Sequence, residues 1–202
     1  MASTQAGTIT IMPETANELA KQLHVLAEAN REAARSGNQQ ALHASQKALA
    51  VQLRKLTSPF SELPPLQLEG INLNGYREPI RCSLGIAFFY GADLTLVDFT
   101  SSEFEGSSFR GAILDRTVMA QARLRTCFFD KAIMDATDFR HAWLRTCDMR
   151  SVEFRQYPQV TGARMEGSFV SQIFLDHLKS LDRDHRPNSL PKVPRPRTPA
   201  DT

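Results

Sequence analysis

A strict period of five constrains this chain more than any other feature. From Cys82 to Gln156 it divides into fifteen consecutive blocks of five residues without a gap. The third residue of every block is large and apolar, from Leu84, Phe89 and Leu94 through to Met149 and Phe154. Of eighteen Leu, Phe and Met residues in this stretch, fifteen fall on that one position. The first residue of each block is small, as in Cys82, Ala87, Ser107, Cys127 and Ala142, and the remaining positions carry nearly all the charge. An α-helix cannot use this spacing, because its faces repeat every 3.6 residues. A continuous strand cannot either, because an odd step throws successive large residues to opposite faces. The spacing demands a chain that turns a corner every five residues. In such a polygonal coil each large residue points at the axis, and stacked coils share backbone hydrogen bonds at about 4.8 Å.

Blocks such as Ala92-Asp93-Leu94-Thr95-Leu96 and Thr137-Asp138-Phe139-Arg140-His141 have a small residue, a polar one, Leu or Phe, then two further residues. In this the sequence resembles the pentapeptide repeat family. The resemblance implies a right-handed quadrilateral parallel β-helix with four blocks per coil, a mainly β solenoid. Looser blocks, Leu66–Gly70 and Ile71–Gly75, extend the pattern toward the N-terminus. Two six-residue stretches, Tyr76 to Arg81 and Tyr157 to Gly162, each slip the register by one, and Ala163–Gly167 resumes it. The solenoid is therefore expected over 66–167, in roughly five coils.

A solenoid needs covers at its open ends. Pro13 to Ser36 reads as a helix, with Thr15 and Glu18 forming a capping box and Leu19, Leu23, Leu26, Asn30 and Ala33 along one stripe. Gly37-Asn38 breaks it. A second helix runs from about Asn38 to Leu56, with Leu42, Leu49, Leu53 and Leu56 on one side. This helical hairpin, 13–58, has too thin an apolar stripe to stand alone. It packs on the first coil, on a second copy, or on a partner. Asn30 reads as an Asn at the helix edge, with a register-setting role as the alternative. At the other end, Ser168 is expected to cap a helix over about 169–182, its apolar stripe Val170, Ile173, Phe174, Leu178 and Leu181. That makes 168–184 a capping helix, with a homodimer through the N- or C-terminal helices left open. Residues 1–12 are expected to be a flexible N-terminus. Residues 185–202, with five prolines and a net charge of +3, are expected to be a disordered basic Pro-rich tail.

Chemistry is hard to find. The five histidines show no metal-ligand spacing, and no phosphate loop, dinucleotide fingerprint or nucleophile elbow is present. No catalytic residue, cofactor or metal is indicated, so an enzyme is not expected. The net charge of +2 excludes a strongly basic nucleic-acid binder. No apolar run is long enough for a membrane span, and three cysteines do not make a disulfide framework, which suits a cytoplasmic location. Cys127 and Cys147, twenty residues apart, are expected to stack as small buried fillers.

The same twenty-residue rule maps the outer walls. Ile113 and Ile133 stack in a ladder between Asp93 and Glu153. Phe88 and Phe128 share a wall with Tyr90 nearby. Trp143 lies over Arg123, with Arg125 and Arg145 beside it. These outward residues form the candidate partner surface, with Trp143 and its arginines foremost because Trp and Arg are enriched at binding hot spots. A local cation–π pair is the alternative for Trp143.

Two functions follow. The first is a non-catalytic scaffold or regulator of bacterial type, binding a protein partner through the β-helix surface and the helical appendage. The Ser/Thr-rich start would also suit export. The second comes from the family resemblance: quinolone-resistance members are acidic rods that imitate duplex DNA on gyrase. Here blocks 82–156 hold ten acids against nine bases. Duplex DNA, at one negative charge per ~1.7 Å, would present roughly fourteen over a rod of ~24 Å. The gyrase reading therefore stands as the alternative.

Overall fold

The computed structural model describes residues 13–57 and 63–194. The expectations for 1–12 and 195–202, and the Thr15 half of the capping box, lie outside the described residues and side chains. Two antiparallel helices come first, α1 (Pro13–Ser36) and α2 (Gln39–Arg54). Gly37 takes φ 69° at the bend. Asn38 then caps α2, its Oδ1 accepting from Ala41 N–H at 3.0 Å.

Eight short strands follow: β1 (Leu66–Gln67), β2 (Ser83–Leu84), β3 (Ala87–Phe88), β4 (Glu103–Glu105), β5 (Arg123–Arg125), β6 (Trp143–Arg145), β7 (Asp148–Met149) and β8 (Phe169–Val170). The last helix is α3 (Gln172–Ser180). All strand pairing is parallel, and the chain winds a β-solenoid of about five turns. Wall 1 carries β1, β3, β7 and β8, linked by the ladder Phe88, Ser108, Phe128, Asp148. Wall 2 is the ladder Asn72, Asp93, Ile113, Ile133, Glu153, and wall 3 runs through Asp98, Val118, Asp138 and Gln159. Wall 4 is the four-stranded sheet β2-β4-β5-β6.

The corners explain the period. The fifth residue of each block has positive φ at every block from Gly91 to Thr146, nine of these twelve being residues other than glycine. On walls 1 to 3 the next block's first N–H donates back to the third residue's carbonyl, as from Ala92 to Phe89 and from Val97 to Leu94, both at 3.1 Å. That is a turn with its third residue left-handed, the type II pattern. The wall 4 corners after β4, β5 and β6 lack this bond. There the next coil's first side chain reaches the third residue's carbonyl: Cys127 Sγ donates to Phe104 O at 3.5 Å, Cys147 Sγ to Leu124 O at 3.4 Å, and Ser168 Oγ to Leu144 O at 3.0 Å. The cysteines are free and buried, and they also satisfy backbone oxygens. Burial pushes the Cys82 thiol up to about 12 and holds Cys127 well above the usual thiol range.

Inside, third-position side chains stack coil on coil. Phe89, Phe109 and Phe129 form a parallel ladder with centroids 4.9 and 5.0 Å apart. Both register slips are present. Leu66 and Asn72 pair twenty-one residues ahead, with Ala87 and Asp93, while Ser83 pairs twenty ahead with Glu103. The spacing returns to twenty-one between Ile133↔Glu153 and Asp138↔Gln159.

The hairpin packs on the first coil, joining Leu23, Ala27, Leu49, Leu53 and Leu56 to Leu66, Leu68, Ile71 and Leu73 in one core. Asn30 is not an edge residue. It is fully buried, its Oδ1 accepts from Asn72 N–H at 2.6 Å, and its Nδ2 donates to Asn72 O at 3.0 Å. It thus completes both backbone groups of Asn72 as a neighbouring strand would.

The C-terminal expectations need two corrections. The helix starts at Gln172 with Ser171 as its cap, not at 169 with Ser168, because Phe169 and Val170 extend wall 1 against β7. Ile173 accordingly faces outward, 70% exposed, while Phe174 and Leu178 are buried. The stretch from 185 to 194 is also no disordered tail. After α3 crosses the open end, Ser189 pairs with Arg164 on wall 4 and Lys192 with Phe169 on wall 1. Lys192 N–H donates to Ser168 O at 2.7 Å, and Asn188 N–H to Ala163 O. The proline content that suggests disorder suits an edge strand, which needs few N–H donors.

Candidate binding surface

The eight residues singled out from the sequence fall on three walls and do not form one surface. Ile113 and Ile133 lie half-buried on wall 2, in the expected ladder between Asp93 and Glu153. Phe88 and Phe128 lie on wall 1, separated by Ser108. Phe88 stacks on Tyr90 at 5.3 Å, and Phe128 stands alone at 47% exposed, with Asp148 as its other ladder neighbour.

Wall 4 brings the other four together. Arg123 pairs with Trp143 and Arg125 with Arg145 across β5 and β6. It is the wall whose strands reach three residues in three successive coils, so its outer face is continuous and regular. Along one column run Glu103, Arg123, Trp143 and Arg164; along the next run Glu105, Arg125 and Arg145. The lower coils neutralise themselves: Arg123 bonds Glu103 at 2.9 Å and Arg125 approaches Glu105 at 3.7 Å. Exposed pairs of this kind contribute little stability. Arg145 and Arg164, both exposed, have no carboxylate partner among the described residues. The wall is therefore polarised, neutral below Trp143 and cationic beside and above it.

Trp143 is half-buried between Arg123 and Arg164, and its Nε1 is buried with no acceptor. The cation–π contact found among the described residues is elsewhere, Arg54 over Tyr76 at 5.6 Å, so the local-pair alternative for Trp143 is not formed. Two hollows flank the indole. A groove of about 690 Å³ runs toward the wall 1 corner past Arg123, Arg125, Glu105 and exposed Ile86. A smaller hollow of about 350 Å³ opens toward the wall 3 corner beside His141 and Arg164. Sequence reasoning missed Arg164, although twenty-residue stacking corrected for the second slip leads to it. Nothing in the sequence places Asn188 there.

A further polar hollow lies at the corner of walls 2 and 3, beside Asp115 and Asp135. Burial, with Asp135 nearby, holds the Asp115 carboxyl above its usual range. Asp135 Oδ1 accepts from the backbone N–H groups of Arg155 and Gln156, a structural duty. Among the described residues no group of three or more His, Cys, Asp and Glu could hold a metal ion, and no helix is long and apolar enough to cross a membrane.

A four-sided parallel solenoid with small, apolar and left-handed residues at fixed block positions defines a repeat protein. Residues 81–116 and 112–150 match the family model for pentapeptide repeats, in eight copies. Residues 81–150 are thus a run of pentapeptide repeats. No curated protein sequence matches it. Among solved structures it is similar to HetL, a pentapeptide repeat protein involved in heterocyst differentiation regulation from the cyanobacterium Nostoc sp., at 21% identity over 50% of this chain and 48% of that one, with a TM-score of 0.36. It is similar also to a pentapeptide repeat protein of the Arabidopsis thaliana thylakoid lumen, at 20% identity over 48% and 59% of the two chains, TM-score 0.34. QnrB1, a plasmid-mediated fluoroquinolone resistance protein, is 23% identical over 54% and 57%, TM-score 0.26. The chain thus spans about half the length of these structures.

Proposed function

We propose that this chain is a non-catalytic protein-binding scaffold or regulator of bacterial type, and that its partner lies along wall 4 around Trp143. The observation that carries this reading is the polarity of that wall: a half-buried indole with Arg164 above it and Arg145 beside it, both without a carboxylate partner among the described residues, and a hollow on each side. Trp and Arg at such a position supply large contact area and directional donors. The hairpin plays a different part from the binding arm anticipated for it, because its inner face is occupied by the first coil. The gyrase-directed alternative gains less support, since wall 4 acids sit in ion pairs with arginines.

The test is site-specific photo-crosslinking in cells of the source organism, from position 145 on wall 4 and position 110 on wall 1. A discrete adduct from 145, absent from 110 and lost in Trp143→Ala, is expected. Equal adducts from both positions, or an adduct indifferent to Trp143→Ala, would discard wall 4. Inhibition of gyrase supercoiling by sub-micromolar protein would instead favour the alternative.

A further inference from the structure

We infer that the hollow between Trp143 and the corner of walls 3 and 4 is an oxyanion site, filled by a carboxylate that an acidic segment of the partner presents. This deepens, and rests on, the scaffold reading above. The lining contains no carboxylate. It is lined by Arg123, Trp143 and Arg164, with Gln121, His141 and Asn188 around them. Arg123 has one nitrogen committed to Glu103, and Arg164 has no ion-pair partner among the described residues. A lining of cations and N–H donors is complementary to an oxyanion and repels a cation.

Three details show that the hollow is built rather than incidental. The Trp143 Nε1–H is a donor only, and it is buried with no acceptor, which is uncommon for a folded protein. Its ladder neighbours on both sides are exposed arginines, able to turn toward a ligand without moving the backbone. Next, the floor depends on a glycine. Gly162 has φ +68°, and a Cβ there would fall 2.4 Å from His141 Nδ1. Only a glycine lets the imidazole lie where it does. Last, the roof comes from the returning strand: Asn188 N–H donates to Ala163 O, and Asn188 Nδ2 donates to Gly162 O at 2.9 Å. That amide is thereby fixed at the rim.

Carboxylates and phosphates share this recognition chemistry, so a test must separate them. Trp143 is the single tryptophan of the chain, and its fluorescence reports on the site directly. The full-length protein is titrated with hexaglutamate, with inorganic phosphate and with hexalysine. Hexaglutamate is expected to give a saturable change in emission, weakened at least tenfold by Arg164→Gln and unaltered by Arg110→Gln on wall 1. Rising KCl should weaken it further. A saturable response to phosphate with none to hexaglutamate overturns the carboxylate assignment. A flat titration with both, an equal response to hexalysine, or an unchanged affinity in Arg164→Gln overturns the site. A flat titration alongside a cross-link still lost in Trp143→Ala removes the oxyanion site and leaves the scaffold reading standing. Saturable hexaglutamate binding without any wall 4 cross-link removes the scaffold reading instead.

Discussion

The two ends of the solenoid solve one problem with different chemistry. Each terminal coil carries one extra residue in the block entering wall 3, and each such block begins with a tyrosine that meets a helix. At the N-terminal end Tyr76 Oη accepts from Arg54 at 3.1 Å and donates to Glu78 at 3.0 Å, under the Arg54 guanidinium. At the C-terminal end Tyr157 stacks on His177 with centroids 3.5 Å apart and packs with Phe154 and Phe174. The hairpin then reaches backbone oxygens around the first coil with polar side chains: Arg31 to Glu69, Asn30 to Asn72, Gln46 to Asn74 and Arg54 to Pro79. The last coil is met mainly by backbone, through the strand that returns at Ser189 and Lys192, with Asn188 Nδ2 and Ser189 Oγ adding side-chain bonds, and α3 has only the apolar axis to cover. A two-helix cap has side chains enough to satisfy a coil edge. A nine-residue helix does not, and needs a strand beside it.

Removing the anchor of the small cap should have the largest effect. Phe174→Ala deletes a fully buried ring and should cost about 3–5 kcal/mol. Hydrogen exchange should show α3 and the returning strand opening together, ahead of the hairpin. If the hairpin opens first, the two ends are not independent.

Next comes the polar anchor of the large cap. Asn30→Ala leaves the N–H and the carbonyl of Asn72 without partners and should cost about 2–4 kcal/mol, measured by chemical denaturation. Asn30→Asp sharpens this result. A carboxylate can accept from Asn72 N–H but cannot donate to Asn72 O. Protonation restores a donor, so this variant should gain stability as pH falls, while the parent should not show that gain. Equal stability of Asn30→Ala and the parent would reduce the contact to simple packing.

Gly162→Ala combines a left-handed φ with a Cβ set against the His141 ring, and should cost about 1–2 kcal/mol. The loss should be partly recovered by adding His141→Ala. Non-recovery would assign the whole cost to φ.

The smallest effect expected is on pH. Burial holds His177 below its usual range. A histidine whose folded pKa is depressed adds stability that is present above its unfolded value, near 6.5, and is lost as pH falls through the folded value. The α3 cap should loosen on acidification through that window, and His177→Phe should abolish that loosening. The exposed His185 has the opposite sign, raised by its bond to Asp182, so it stabilises below the same value and its contribution fades as pH rises. A parent cap that tightens on acidification would mean that His185 dominates.

The wall 4 column shows where reading the sequence reaches and where it stops. Arg123 under Trp143 followed from block counting alone, because twenty residues return the chain to the same wall. Arg164 lay one register slip beyond it, reachable only by a count corrected for that slip, and Asn188 lay beyond a helix, where no count applies. Asn30 misled for a related reason. A stripe of helical spacing shows that a side chain faces inward, but not that the backbone of residue 72 waits there. The corners were invisible too, since nine of the left-handed positions hold ordinary residues where glycine would have signalled them.

By itself, then, the sequence determined the solenoid, its walls, its two register slips and the helices that flank it. Those features rest on local repetition, in which every block meets the same neighbours, so short-range pattern and long-range contact agree. Only the tertiary structure decided what closes the ends, which helix residues face the core, and which polar groups meet around Trp143. These depend on single contacts between residues 21 to 42 positions apart, made once and repeated nowhere. A contact made once leaves no period to read.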